Sequence, residues 1–105
     1  MSDLSRRAKL EELVQTDPDD PFLHYALAKE HIAAGDGDAG LRGLQGVIER
    51  FPDYVVAYFQ QGQLLAERQD IPSARTALDQ GIRVAQRVGD RHAEAEMREF
   101  LASLE

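Results

Sequence analysis

The chain has 105 residues, 43% of them hydrophobic and 30% charged, a balance that supports one small folded core and argues against disorder. Its net charge of −7 and its lack of cysteine argue against nucleic-acid or anionic-membrane binding and exclude a disulfide framework, a thiolate metal site and a cysteine nucleophile. No apolar run approaches the roughly 20 residues that span a bilayer, and Met1-Ser2-Asp3-Leu4-Ser5-Arg6-Arg7 leads into an amphipathic stretch without an apolar signal core, so a cytoplasmic protein is expected.

A first helix is expected from about Asp3 to Gln15, where Leu4, Ala8, Leu10, Leu13 and Val14 approximate an apolar stripe. Thr16-Asp17-Pro18-Asp19-Asp20-Pro21 is a stop and restart: Asp20 caps the second helix and Pro21 suits its first turn, where the missing N–H costs nothing. That helix runs to about Ala34 and ends at Gly35-Asp36-Gly37. Asp36 or Asp38 caps the third, which ends near Phe51-Pro52. Asp53 is expected to cap the fourth, through about Arg68, with Gln69-Asp70 as the turn. Asp70 caps the fifth, Pro72 lies in its first turn, Gly89 ends it after about Val88, and Asp90 opens the sixth. No stretch alternates with period two, so no strand is expected and the chain reads as all-α.

These helices repeat. His24-Tyr25-Ala26-Leu27-Ala28 matches Tyr58-Phe59-Gln60-Gln61-Gly62 at an offset of 34 residues, and the same offset sets His31 on Leu65, Asp36 on Asp70, Gly40 on Ala74, Leu44 on Leu78, Ile48 on Ile82 and Pro18 on Pro52. A fixed period of this length signals stacked helical units, none able to bury its apolar face alone. The pattern resembles the tetratricopeptide repeat (TPR), a helix–turn–helix unit, in the form of a small bacterial-type domain. Leu27-Ala28 and Gly62 stand at the family's close-packing site, Tyr58 at its large aromatic site, Gly35-Asp36 at its inter-helix turn, Ala74 at its small residue and Pro52 at its closing proline. His24 at the aromatic site, His31 at a usual tyrosine, Gln61 at a usual leucine and Gln86 at the closing proline depart from it.

The resemblance implies an α-solenoid of antiparallel helix pairs in one domain over 1–105, with an N-terminal half-unit helix (1–16), two repeats (21–54 and 55–88) and a C-terminal capping helix (90–105). The sixth helix departs from the period: its stripe of Ala93, Met97, Phe100, Leu101 and Leu104 places the anchor at Met97, whereas the offset from Tyr58 points to His92. One reading is a cap with altered docking; the other is a helix that gates the groove or pairs with a second copy.

In the family the first helices of successive units line a concave groove that takes extended or helical peptides. The positions transferred from it are Phe22, Tyr25, Lys29 and Ala33 in the first repeat, and Val56, Phe59, Gln63 and Glu67 in the second. The alternative is that Phe22, Tyr25 and Phe59 are core. Only Lys29 is basic among these positions, which argues against the carboxylate clamp of chaperone-binding TPRs.

Other chemistry is sparse. His24 and His31 lie seven residues apart, two turns along one face, too far for one ion to bridge comfortably, so both read as packed structural histidines. No serine stands near a histidine in sequence, and Gly35-Asp36-Gly37-Asp38 lacks the ligand spacing of a calcium loop. Gly40, Gly43 and Gly46 fall inside the third helix and each costs about 1 kcal/mol against alanine. Gly40 has a packing reason as the family's small position, Gly43 permits close approach, and Gly46 has none; the third helix is therefore expected to be the least stable of the repeats. Arg75, Arg83, Arg87 and Arg91 form a basic line on the fifth helix, read as a solvated face paired with Glu94, Glu96 and Glu99, or as a docking strip for an acidic partner.

The expected function is that of a non-enzymatic interaction module, without cofactor or metal, binding a peptide or protein segment in its groove. The alternative is a structural module that self-associates through its C-terminal helix. The partner is a protein, not nucleic acid or membrane, and a homo-oligomer is possible.

Overall fold

The computed structural model describes residues 3–105, with side chains from Arg6 onward; Met1, Ser2 and the side chains of Asp3, Leu4 and Ser5 lie outside the described residues, and with them the Leu4 that opens the expected first stripe. The helices are α1 (Asp3–Thr16), α2 (Pro21–Ala33), α3 (Gly37–Arg50), α4 (Val55–Glu67), α5 (Ile71–Val88) and α6 (Arg91–Ser103). Among the described residues there is no strand. The chain divides between Arg50 and Phe51 into two compact units. In the first, α2 packs on both α1 and α3; in the second, α5 packs on both α4 and α6.

Local chemistry sets the helix starts. Asp20 Oδ1 accepts from the Phe22 N–H at 2.9 Å, with Pro21 in the first turn. Asp36, rather than Asp38, caps α3 by accepting from Ala39 N–H at 3.1 Å. Asp70 and Asp90 accept from Ser73 and Ala93 N–H at 3.3 and 3.0 Å. The expected cap by Asp53 is corrected: the residue flanking α4 is Tyr54, whose side chain caps nothing. Tyr54 stands one period after Asp20, so the capping position of the second unit carries a phenol. Asp53 repeats Asp19 instead. Asp19 pairs with Arg50 at 3.0 Å, and Asp53 with Arg87, each arginine in the last turn of its repeat's second helix.

The turns also correspond. Gly35 (φ +85°) and Gln69 (φ +66°), one period apart, both take the left-handed conformation that ends α2 and α4.

Close packing follows the small residues. A Cβ on Gly43 would stand 2.9 Å from the Ala28 Cβ, and one on Gly40 would overlap the Ile32 side chain, so both glycines let α2 and α3 approach. Gly46 has nothing within 4 Å, which leaves its helix cost without compensation. In the second unit a Cβ on Gly62 would lie 2.7 Å from Leu78 Cγ. Leu44 and Leu78 are each 0% exposed at the centre of their units.

In α1 the expected stripe is corrected: Leu10 and Val14 are half-buried, but Ala8 and Leu13 are exposed. Among the described residues of that stripe, Leu10 and Val14, four apart, share the covered face.

The capping helix α6 docks as its own stripe indicates. Met97 is 0% exposed, while His92, the residue the period points to, is exposed. Gly81 makes the seat: a Cβ there would stand 2.6 Å from both Met97 Sδ and Tyr58 Cβ. The expected pairing of the α5 arginines with the acids of α6 is also corrected. Arg87 is held by Asp53, Arg75 donates to the Leu104 carbonyl at 3.4 Å, and Glu94 takes Gln86 Nε2 at 3.2 Å and Arg98 Nε at 2.9 Å. Arg98 lies one turn from Glu94 on the same helix and reaches it without bridging to α5.

Candidate peptide-binding surface

The transferred positions form one face on α2 and another on α4. On α2, Phe22 is the most exposed large apolar residue, at 57%. Tyr25 is half-buried, and Lys29 Nζ sits 5.7 Å from the centre of its ring, within cation–π range. Ala33 is exposed at the last turn.

On α4, Val56 is 41% exposed. Phe59 is half-buried against Phe100 of α6, with ring centres 5.9 Å apart and planes tilted by 56°, a favourable aromatic geometry. Gln63 accepts from Gln60 Nε2 at 3.4 Å, and Glu67 is exposed. Phe59, Phe100, Glu96, Glu99 and Ser103 line a shallow depression of about 300 Å³ between α4 and α6. The α6 side of this surface is absent from the sequence-derived positions. Its signal is the spacing of Glu96, Glu99, Phe100 and Ser103 on one helical face; read from sequence, Phe100 falls in a packing stripe and Glu96 and Glu99 on an acidic surface, and Ser103 has no role.

His24 makes a structural contact. His24 Nε2 lies 2.7 Å from the Pro18 carbonyl oxygen, the place where Tyr58 Oη meets Pro52 one period later, at 2.8 Å. His31 is half-buried, with Nδ1 lacking a hydrogen-bond partner. Both border a cavity of about 230 Å³ between α2 and α3, floored by Leu27, Ala28 and Val47 and left open where Gly43 and Gly46 carry no side chain. Among the described residues no group of three or more His, Asp or Glu is placed to hold a metal ion, and no helix is long and apolar enough to cross a membrane. Burial pushes the Tyr58 phenol up from its ordinary value of 10.0; the nearby Arg87 opposes this and Asp53 adds to it.

No protein-family model matches the sequence. A TPR repeat-containing protein of Pseudomonas aeruginosa is 32% identical over 96 residues, spanning 91% of this chain and 91% of that protein. The solution structure of a tetratricopeptide repeat domain protein from Salinibacter ruber superposes with a TM-score of 0.81 at 32% identity, over 85% of this chain and 90% of that one. A Bordetella parapertussis protein, also solved in solution, gives a TM-score of 0.80 at 30% identity, over 93% and 85% of the two chains. With the period, the glycine seats and the inter-helix turns already in place, the chain belongs to the tetratricopeptide repeat family.

Proposed function

We propose that this chain is a non-enzymatic interaction module that binds an extended or helical protein segment through the exposed faces of α2 and α4, with residues 1–105 acting as one repeat domain. Tetratricopeptide repeats are in general protein–protein interaction modules, and one observation carries the reading here. Phe22 and Val56 are one period apart, at the same place in each unit, and both are large apolar side chains left 57% and 41% exposed. Scattered apolar exposure is ordinary, but its recurrence at one register position of two repeats supports recognition through each of these two faces. Tyr25, Lys29 and Ala33 extend the face on α2, and Phe59, Gln63 and Glu67 the face on α4.

The test is retention of a partner from native lysate by the wild type beside a Phe22→Ser/Val56→Ser variant. Both side chains are exposed, so the variant keeps its helical content, measured by circular dichroism. A protein retained by the wild type and lost by the variant supports the reading. Identical capture by both overturns it, and a mass that rises with protein concentration then favours self-association through α6.

A further inference from the structure

We infer that the depression between α4 and α6 receives an arginine or lysine side chain, so that the bound segment is a basic one; this rests on the peptide-binding reading above and names the chemistry of its partner. The repeat itself supplies the comparison. In the first unit Lys29 stands over the ring of Tyr25, so the chain provides its own cation. One period later Phe59 replaces Tyr25 and Gln63 replaces Lys29. The aromatic ring remains and the cation is gone. In its place α6 brings a second ring, Phe100, 5.9 Å from Phe59 between centres, and the carboxylates of Glu96 and Glu99.

An aromatic pair and two carboxylates attract the same kind of group. A cation gains from the ring quadrupoles and from charge-assisted hydrogen bonds at once. A guanidinium satisfies both best, since its plane stacks on a ring while its edge donates to a carboxylate. An anionic segment meets like charge, here and across a chain of net charge −7. A neutral apolar side chain would cover carboxylates without pairing them. Neither acid is committed to a permanent cation: Glu96 lies 3.1 Å from His92 Nε2, a charge pair only when that exposed imidazole is protonated, and Glu99 enters no ion pair among the described residues.

The experiment titrates the full chain, labelled for amide NMR, with three short blocked peptides identical except for arginine, glutamine or glutamate at alternate positions. The arginine peptide is expected to bind roughly tenfold more tightly than the glutamine peptide and to shift the amides of Phe59, Glu96, Glu99 and Phe100. Glu96→Gln/Glu99→Gln, both exposed sites, is expected to abolish that preference, and Gln63→Lys to weaken arginine-peptide binding by restoring the chain's own cation. Equal binding of the arginine and glutamine peptides, with shifts still at Val56 and Phe59, overturns the charge inference while leaving the peptide-binding reading intact. Arginine-selective shifts at Phe59, Glu96, Glu99 and Phe100 that persist unchanged in Phe22→Ser/Val56→Ser support the charge inference and overturn the part of the reading that assigns recognition to Phe22 and Val56. Absence of binding by all three peptides, or shifts that follow protein concentration alone, overturns the inference in favour of another occupant.

Discussion

His24 holds the carbonyl oxygen of Pro18 at 2.7 Å through Nε2. A carbonyl only accepts, so Nε2 carries the proton, and the Arg50 guanidinium 3.4 Å away is a neighbour of that nitrogen rather than its donor. Tyr58 donates to Pro52 in the same way. The histidine thus substitutes for the repeat's aromatic anchor while keeping its hydrogen bond across the entry to the unit.

Removing that donor while keeping a ring is expected to lower stability by about 1 kcal/mol at either site. Chemical denaturation of His24→Phe and Tyr58→Phe measures it. Unchanged midpoints would show that the paired bonds are incidental.

At Gln69 the backbone adopts φ +66°, the conformation glycine supplies at Gly35. Gln69→Gly should therefore raise stability by about 1 kcal/mol, and Gly35→Ala should lower it by a similar amount. A thermal midpoint that falls in Gln69→Gly contradicts the strain argument.

The glycines of α3 should respond in opposite directions. Gly46→Ala adds a methyl to open space and is expected to stabilise by about 1 kcal/mol, whereas Gly43→Ala drives a Cβ against Ala28 and should cost about 1 kcal/mol or more. Amide exchange should be faster in α3 than in α4, and slower in α3 after Gly46→Ala. Equal protection of the two helices in the wild type refutes the ranking.

High pH should lower stability through Tyr58. Its folded pKa lies above 10.0, chiefly through burial, so the neutral phenol is favoured in the fold. That contribution is fully present below about pH 10 and is lost as pH rises through the folded pKa. Denaturation midpoints measured from pH 8 to 11 are expected to fall less steeply in Tyr58→Phe than in the wild type; parallel profiles would remove Tyr58 as the cause.

Self-comparison at the period, together with the aspartates at Asp20, Asp36, Asp70 and Asp90, made the helices and their starts legible in the sequence. Each such signal is completed within one turn of chain, by a carboxylate reaching a backbone N–H two or three residues on. The α2 and α4 positions were also readable, because a helical face follows from spacing alone.

What tertiary structure decided is which side chains from distant positions meet. Asp53 looked like a cap until α5 brought Arg87 beside it, and Tyr54 took the capping position without a carboxylate. Met97 sits over Gly81, five residues after the position the period points to, and in the same docking Phe100 lies against Phe59 with Glu96 and Glu99 alongside. No local rule contains that outcome: close packing depends on shapes contributed by separate helices, so the face of α6 that turns inward is set by the surface α4 and α5 offer it together.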